Sequence, residues 1–401
     1  MSSPEPGRRP RILEVHWTFP PTTGGVESHL ADLSRQLAAR GCEVTVLTGE
    51  PQPIASDGCD VISTELLNLD RMKDRVHPDL NAAEKLEQQL AAIIRAKKIE
   101  VVHGHNLHHF ARAPAQAIEQ FRASGGLRVF HTFHETWPDL LRKEPVYRRW
   151  DGNFAVSGFV QRQCRLMLGF EPELLPLGVD TSIFRPFHRP QNAGSPPVVL
   201  HPARLLPWKG VEISVRMLRM LVDRGQQATL VITDTQRVAD WNDELTRYRA
   251  FILALIEKLD LGDWIRLVRA AYADMPRLHA EADVVIYPTV GEEPYGLVPL
   301  EAMSCERPIV ASRSGGIPET VVDGVTGFTV APGDVSELAD RVGLLLSSPE
   351  LARRMGLAGR ERVMQDFDAD AYANTLLRRF CAAGAGSLKT PRNFAIRAQG
   401  C

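Results

Sequence analysis

Two carboxylates separated by seven residues mark the segment Glu293–Glu301 as a candidate ligand site. An apolar run, 284–287, precedes the segment, and Pro299 suits the first turn of a helix because its missing N–H costs nothing there. The order strand, loop, helix places backbone N–H groups of a helix N-terminus between the two acids, where they attract anions. We therefore predict a ligand with hydroxyl groups at both ends and a pyrophosphate in the middle, as in a sugar nucleotide.

Two cations lie at the end of another apolar run. Arg204 and Lys209 follow the predicted strand 198–201, and Gly210 opens the helix behind them. Fixed cations at a strand end can neutralise a diphosphate, including the charge that develops as it leaves. The alternative is that the two cations are simply solvated in a loop. If no other motif were present, this alternative would be favoured.

Two glycine-rich turns each lead into a helix. Gly24-Gly25 follows the first predicted strand, and Gly315-Gly316 follows the predicted strand 309–311. Glycines there allow a ligand to approach the backbone closely, and the N–H groups behind them suit an anion. The alternative for both is an ordinary tight turn between a strand and a helix.

Histidines are concentrated in the first half of the chain. His134 ends a predicted strand, and we expect it to face a cleft and hydrogen-bond a sugar hydroxyl. The group His103, His105, His108 and His109 has a strand-then-loop spacing, without a carboxylate at H-x-x-E spacing, and the cysteines form no C-x-x-C pair. We therefore predict no metal site, and expect these histidines to be solvated or in the core.

Apolar runs alternate with helical stripes along both halves of the chain, which predicts an α/β fold with two Rossmann-like, doubly wound domains facing across a cleft. Ligands bind such sheets beyond the carboxyl ends of the strands. A Pro-rich stretch from Arg185 to Pro197 reads as the linker. We predict an N-terminal domain over 1–187, a C-terminal domain over 188–368, and a last helix and tail, 369–401, that return to the first domain.

The apolar patterns also predict the individual elements. The predicted strands are 11–16, 43–47, 101–103, 128–133, 153–156, 198–201, 229–233, 264–268, 283–287 and 309–311. The predicted helices are 26–37, 82–97, 210–224, 241–259, 301–303, 335–346 and 369–381.

Composition narrows the partners and the compartment. The 401 residues suit two domains. With 47 basic and 49 acidic residues the net charge is −2, which argues against nucleic acid or an anionic membrane as the main partner. No apolar window reaches the roughly 18 residues of a membrane span. The scattered cysteines and an N-terminus without an apolar signal region favour a cytoplasmic protein.

Taken together, the motifs resemble the retaining glycosyltransferases of family 4, which have the GT-B fold. The resemblance runs from Gly24 to about Phe367, and the R-x4-K pair and the E-x7-E block are its specific parts. The matching segments are Gly24-Gly25-Val26-Glu27, His134, Arg204 to Gly210, Glu293 to Met303, Gly315 to Glu319 and Asp323 to Gly327.

The resemblance implies a role for each matched residue. The C-terminal domain would bind a nucleoside diphosphate sugar, with Arg204 and Lys209 on the diphosphate and Glu301 on the ribose. Glu293 would orient the transferred sugar, and His134 would contact one of its hydroxyls. Further donor contacts would come from Gly24, Gly25, Tyr295, Gly296, Leu297 and Val298. No cofactor or metal is expected, and the anomeric configuration would be retained.

Some positions depart from the family pattern and bear on the base. Ala203 stands where a glycine is usual, Asp234 begins a loop that is usually G-x-G-P, and Val268-Arg269-Ala270 replaces the usual F-x-G. Uridine is the base that we expect.

The first domain would bind the acceptor, to which we assign Glu27, Glu135, Trp137 and Asp139. Acids beside an aromatic suit a small, soluble, cationic polyol such as an aminocyclitol, and we predict a role in aminoglycoside antibiotic biosynthesis; a solvated acidic loop is the competing interpretation.

Three further functions are compatible with the fold to different degrees. A lipid or polysaccharide acceptor, as in a glycogen- or sucrose-type synthase, would use the same donor site, and a nucleotide-sugar epimerase would share the two-domain architecture. A dehydrogenase lacks support because no G-x-G-x-x-G follows the first strand. We expect a monomer or a homodimer that neither binds nucleic acid nor inserts stably into a membrane.

Overall fold

The computed structural model describes residues 9–68, 80–109, 113–123, 126–136, 145–187, 196–234 and 242–382. Within them the chain forms two parallel sheets flanked by helices, so the predicted α/β fold with two doubly wound units is confirmed. The domain limits at 187/188 and 368/369 stay a prediction. None of the helices in the described part of the chain is both long and apolar enough to cross a bilayer.

The first sheet has seven parallel strands in the order β3-β2-β1-β4-β5-β6-β7. Its central strands read as apolar runs because helices cover both faces. The carboxyl ends of β1, β4 and β5 meet at one edge, which is where the histidine-bearing segments lie. The strands are β1 Arg11–His16, β2 Glu43–Thr48, β3 Cys59–Ser63, β4 Val101–His105, β5 Arg128–Phe133, β6 Gly152–Ala155 and β7 Glu173–Leu174.

The second sheet has six parallel strands in the order β10-β9-β8-β11-β12-β13. Chain order reverses beside β8, and β8 and β11 are neighbours, so the loops after these two strands lie at the switch point where such sheets bind ligands. The strands are β8 Val198–His201, β9 Thr229–Thr233, β10 Ile265–Val268, β11 Val284–Tyr287, β12 Ile309–Ser312 and β13 Gly327–Val330.

Helices cover both faces of each sheet. They are α1 Gly25–Ala39, α2 Leu80–Ala96, α3 Ala113–Ala123, α4 Gly158–Leu168, α5 Val211–Asp223, α6 Asn242–Lys258, α7 Met275–Glu281, α8 Leu297–Ser304, α9 Ile317–Thr320, α10 Val335–Ser347, α11 Pro349–Asp366 and α12 Ala369–Ala382. Strands β3, β7 and β13 and helices α3, α4, α7 and α11 add to the elements that the sequence predicted, and α9 is the helix expected after Gly315-Gly316.

Helix α12 lies against α1 of the first domain. Arg40 Nε donates to Asn374 Oδ1 at 2.9 Å, and Arg40 also pairs with Asp370. At the other end of the helix, Arg379 pairs with Glu173 and the guanidinium of Arg128 donates to the carbonyl of Phe380. Both ends of the helix therefore contact the first domain. The tail 383–401 lies outside the described residues.

Candidate functional site

A triangle of polar side chains lies at the switch point of the second sheet. Lys209 Nζ donates to Glu293 Oε2 at 2.6 Å and to the Tyr287 hydroxyl at 2.7 Å. The Tyr287 hydroxyl donates in turn to Glu293 Oε2 at 2.7 Å. Two of the predicted site residues are therefore in direct contact, and Tyr287 at the end of β11 joins them.

Glycines hold the backbone of this triangle in place. Gly210, with φ of +76°, follows Lys209, and a Cβ there would lie 1.9 Å from the carbonyl oxygen of Pro288. Gly315, with φ of +55°, meets Glu293 in the same way, because its Cβ would lie 1.9 Å from the Glu293 carbonyl oxygen. Gly316 N–H donates to that oxygen at 2.8 Å. The second glycine-rich turn therefore fixes the Glu293 backbone.

The charges of the triangle are set by its mutual contacts. Burial alone would raise the pKa of Glu293, but the charge of Lys209 and hydrogen bonds from Lys209 and Tyr287 lower it below its usual range. Burial and the Glu293 charge raise the pKa of Tyr287 well above its usual value, so its hydroxyl keeps its proton. Arg204 also lowers both pKa values, which places its charge near the triangle. Its guanidinium has no hydrogen-bond partner among the described residues.

Helix α8 brings a second acid to the space between the domains. It begins after Gly296, which has φ of +86°, and carries the nearly buried Glu301. His279 Nε2 lies 3.2 Å from Glu301 Oε2 and holds that carboxylate on one side. Leu297 and Glu301 line a small cavity between the domains together with Asp32 and Tyr372.

The first glycine-rich turn meets the start of α8 from the opposite domain. A Cβ on Gly25 would lie 3.7 Å from Leu297 Cδ1, so the N-termini of α1 and α8 approach each other. A Cβ on Gly24 would instead collide with the Glu27 carboxylate, 2.1 Å away. Thr18 donates a hydrogen bond to Glu27. Two helix N-termini therefore point at one interdomain space, which favours an anionic ligand there.

Hydrogen bonds at several further points join the domains, and three of them concern residues near this site. Glu319 accepts hydrogen bonds from Gly158 N–H at 2.7 Å and Phe159 N–H at 2.8 Å, so an acid of the second domain caps α4 of the first. Ser157 Oγ donates to the carbonyl of Pro294 at 2.6 Å. On the far side, the Tyr272 hydroxyl donates to Asp32 Oδ2 at 2.8 Å.

Buried histidines line the carboxyl edge of the first sheet. His134 is only 5% exposed, and its Nε2 lies 2.9 Å from His105 Nδ1. His105 Nε2 and His103 Nδ1 each lie 2.8 Å from Oε2 of Glu14 on β1. The sequence has no carboxylate at H-x-x-E spacing from these histidines, but the pairing of β1 with β4 supplies one from a strand far upstream. The expectation of core histidines holds for His103 and His105.

Family models match both halves of the chain. "Glycosyltransferase Family 4" covers residues 23–183, and "Glycosyl transferases group 1" covers residues 184–362. Alpha-maltose-1-phosphate synthase of Mycobacterium tuberculosis is 31% identical, over 93% of this chain and 100% of that protein. The chain belongs to glycosyltransferase family 4. The family supports transfer over the epimerase and dehydrogenase hypotheses.

Two more relatives of this family 4 glycosyltransferase are 29% identical to it. Glycogen synthase of M. tuberculosis matches over 94% of this chain and 95% of its own. The GDP-mannose-dependent alpha-(1-6)-phosphatidylinositol monomannoside mannosyltransferase of Mycolicibacterium smegmatis matches over 89% and 94%.

Solved structures show the same GT-B fold. A glycosyltransferase from Rickettsia africae superposes with a TM-score of 0.77 at 18% identity, over 94% of this chain and all of that one. Anabaena HepE, solved in complex with UDP and glucose, superposes with a TM-score of 0.69 at 20% identity, over 92% and 98%.

The sites predicted in this family 4 glycosyltransferase fall into two groups. The donor residues lie on the switch-point loops, on α8 and on the turn before α1. Of the acceptor residues, Glu27 lies beside that turn and Glu135 accepts a 3.3 Å hydrogen bond from Asn106 Nδ2. Trp137 and Asp139 lie outside the described residues.

Three residues of the site were missed by the sequence analysis. Two of them could have been recognised in the sequence. Glu14 is a charged residue inside the apolar run of β1, and Tyr287 carries a hydroxyl group at the end of an apolar strand. Glu319 was named as part of a motif, but its capping of α4 depends on how the domains meet. No local pattern predicts that contact.

Proposed function

We propose that this family 4 glycosyltransferase transfers a sugar, with retention, from a uridine diphosphate sugar to a hydroxyl of a small soluble acceptor. The observation that carries the proposal is the contact of Lys209 with Glu293, with the charge of Arg204 beside it, at the switch-point loops that lead into α5 and α8. Cations, helix dipoles and a carboxylate are the groups that a leaving diphosphate and a reacting sugar require.

Lys209 has hydrogen-bonding capacity left for a phosphate. An ammonium group has three N–H donors, and Glu293 and Tyr287 take two of them. The third, together with the guanidinium of Arg204, is available to the diphosphate oxygens. Both cations are fixed before the reaction, so they stabilise the charge that grows on the leaving group without reorganising.

The contacts of Glu293 favour a positioning role over nucleophilic attack. Its Oε2 accepts two hydrogen bonds and faces the Lys209 charge, which lowers the nucleophilicity of the carboxylate. We propose a front-face reaction, in which the departing phosphate oxygen takes the proton of the acceptor hydroxyl. Glu293 would orient the sugar and stabilise its positive charge.

The acceptor is proposed from the charge of the first domain's carboxyl edge. Glu27, Glu50 and Glu135 lie in the segments that follow β1, β2 and β5. Carboxylates at this edge favour a neutral or amino-bearing polyol over a phosphorylated one. An aminocyclitol of the kind found in aminoglycosides fits this chemistry.

A glucan acceptor is the second candidate, because glycogen synthase and alpha-maltose-1-phosphate synthase are named among the relatives. The GDP-mannose dependence of the mannosyltransferase makes GDP-mannose the second candidate for the donor. Both candidates keep the same donor-site chemistry.

A donor-by-acceptor screen tests the proposal. UDP- and GDP-sugars are each incubated with aminocyclitols, glucans and a phosphoinositide, and products are detected by mass spectrometry. We expect UDP release only with an aminocyclitol, and NMR of the product should show the donor's anomeric configuration. Turnover only with a glucan would move the assignment to the second candidate, and an inverted product would exclude the front-face reaction.

A further inference from the structure

A chain of close, buried polar contacts leads from the centre of the first sheet to His134, and its last two links, Glu14 to His105 and His105 to His134, are hydrogen bonds. We call Glu14, His103, His105 and His134 the histidine relay. The Thr132 hydroxyl lies 2.8 Å from His103 Nε2, and His103 Nδ1 lies 2.8 Å from Glu14 Oε2. The same carboxylate oxygen lies 2.8 Å from His105 Nε2, and His105 Nδ1 lies 2.9 Å from His134 Nε2.

Charge and valence assign the hydrogens along this chain. Burial opposes ionisation of Glu14, but the charge and hydrogen bonds of His103 and the contacts of His105 lower its pKa to about 2, so the carboxylate only accepts. His105 Nε2 must therefore carry a hydrogen. Burial lowers the pKa of His105 to about 3, so its ring is neutral and Nδ1 has only a lone pair. His134 Nε2 must then be the donor of the last bond.

This assignment leaves His134 with a bare Nδ1. Burial and the neighbouring histidines lower the pKa of His134 well below its ordinary value, so the ring is neutral and carries its one hydrogen on Nε2. Nδ1 makes no hydrogen bond with any of the described residues. A neutral ring adds no positive charge beside a sugar that becomes cationic in the transition state.

The ring is also held in place at the interdomain space. The backbone N–H of His134 donates to Asn106 Oδ1 at 2.7 Å. On the other side, the ring of His29 on α1 lies 5.5 Å from the His134 ring, and His29 lines the space between the domains. Within the relay, His134 is thus the ring closest to His29, at 5.5 Å against 6.4 Å for His105.

The spacing of the relay fits hydrogen bonds better than a metal ion. Ligand atoms at 2.0–2.1 Å around a tetrahedral metal are roughly 3.3 Å apart. Here both ring nitrogens approach one oxygen, Glu14 Oε2, to 2.8 Å, and all three side chains are fully buried.

We propose that Glu14, His103 and His105 are positioning residues, which fix His134 in the Nε2–H form so that Nδ1 accepts a hydrogen bond from a hydroxyl of the donor sugar. The ligand part of this inference rests on the proposed function. The tautomer part does not depend on it, so the two can fail separately.

Long-range 1H–15N spectra of enzyme with 15N-labelled histidine test the tautomer directly. In the wild-type protein we expect His134 to carry its hydrogen on Nε2, and a spectrum with the hydrogen on Nδ1 overturns the proposal. Glu14→Gln keeps the side-chain volume but adds an N–H donor to the chain. We expect it to change the His105 and His134 tautomers and to lower kcat about tenfold. Affinity for UDP, measured by calorimetry, should change less than about twofold, because UDP is held by the other domain.

His131→Gln is the matched control. His131 lies on the same strand as Thr132, but its ring packs on the opposite side, against Tyr147 and Trp150. This variant should lose stability while keeping the His134 tautomer and kcat. An equal loss of kcat in both variants with unchanged tautomers would show a merely structural effect and overturn the proposal.

Metal analysis of the purified protein closes the test. If the wild-type protein contains one equivalent of zinc and Glu14→Gln contains none, these side chains form a metal site and the proposal is overturned. If Glu14→Gln does not fold, the wild-type spectrum still decides. If the wild-type enzyme transfers no sugar but His134 has the expected tautomer, the proposed function fails and the relay stands.

Discussion

Lys209 Nζ lies 2.6 Å from Glu293 Oε2, so the residue predicted to hold the diphosphate is bonded to the residue predicted to hold the sugar. The two side chains are 11% and 13% exposed, and the pair is therefore shielded from solvent. A buried pair of this kind would couple binding of the phosphate to binding of the sugar. If Lys209 moves toward a phosphate, Glu293 loses part of its charge compensation and presents a stronger negative charge to the sugar.

The pair predicts different effects for its two members. Lys209→Met removes the proposed diphosphate contact and should lower both UDP affinity and kcat/KM, the latter at least about tenfold. Glu293→Gln should lower kcat by a similar factor and leave UDP affinity within about twofold, because the proposed ligand of Glu293 is the sugar. Calorimetry with UDP and steady-state kinetics separate the two effects.

The control for Lys209→Met is Arg216→Met, which removes a cation of the same domain from an exposed pair with Glu212. It should leave both measurements unchanged. Equal losses of UDP affinity in Lys209→Met and Glu293→Gln would contradict the separate roles.

Substitution of Tyr287 should slow turnover even if its side chain does not contact the ligand. Tyr287→Phe removes one of two hydrogen bonds to Glu293 Oε2 and one acceptor of Lys209. We expect kcat to fall about fivefold, since the carboxylate loses a restraint of roughly 1 kcal/mol. Tyr248→Phe is the control, because that hydroxyl only accepts a 3.2 Å bond from the Glu212 N–H on α5. Equal kinetics in the two variants would remove Tyr287 from the site.

The contact of Glu319 with α4 should affect both the arrangement of the domains and the free energy of unfolding. Glu319→Gln keeps the shape but weakens two charge-assisted hydrogen bonds to the N-terminus of α4, at a cost of about 1–2 kcal/mol. Because the bonds cross the domains, we also expect a larger radius of gyration by X-ray scattering.

Asp334→Ala offers a matched control for that measurement. Asp334 caps α10 by accepting a hydrogen bond from Glu337 N–H at 2.8 Å within one domain. It should lower the free energy of unfolding and leave the scattering curve unchanged. A Glu319→Gln curve that matches the wild type would mean that the cap does not set the domain arrangement.

The buried central strands were predictable because parallel strands covered on both faces read as apolar runs. Strand β3 was missed because it lies at the sheet edge and includes Asp60. Helix α11 has a weak apolar stripe and depends on packing, with Gly359 against Met303 of α8. Each missed contact of the site joins distant segments: Glu14 with His103, Tyr287 with Lys209, and Glu319 with Gly158. Local patterns indicate the residue types, but sheet pairing and domain docking bring them together.

The buried histidines predict a steep loss of stability in mild acid. Burial lowers the pKa of His29, His105, His108 and His201 from 6.5 to about 3. Below pH 6.5 the unfolded chain therefore binds protons that the folded chain does not, and folding loses stability until the pH reaches about 3. Each such histidine contributes a slope of up to about 1.4 kcal/mol per pH unit. Glu14, with its pKa lowered from 4.5 to about 2, acts in the same direction, since its stabilising effect is lost as the pH falls through that window.

Urea unfolding at pH 7.5, 6.5, 5.5 and 5.0 measures this slope. His108→Asn removes one of the four groups and should make the slope shallower by about one proton, whatever it does to the stability at pH 7.5. An unfolding free energy that stays constant from pH 7.5 to 5.0 would show that these histidines titrate normally. In that case His105 would not be held neutral, and the hydrogen assignment along the histidine relay would lose its basis.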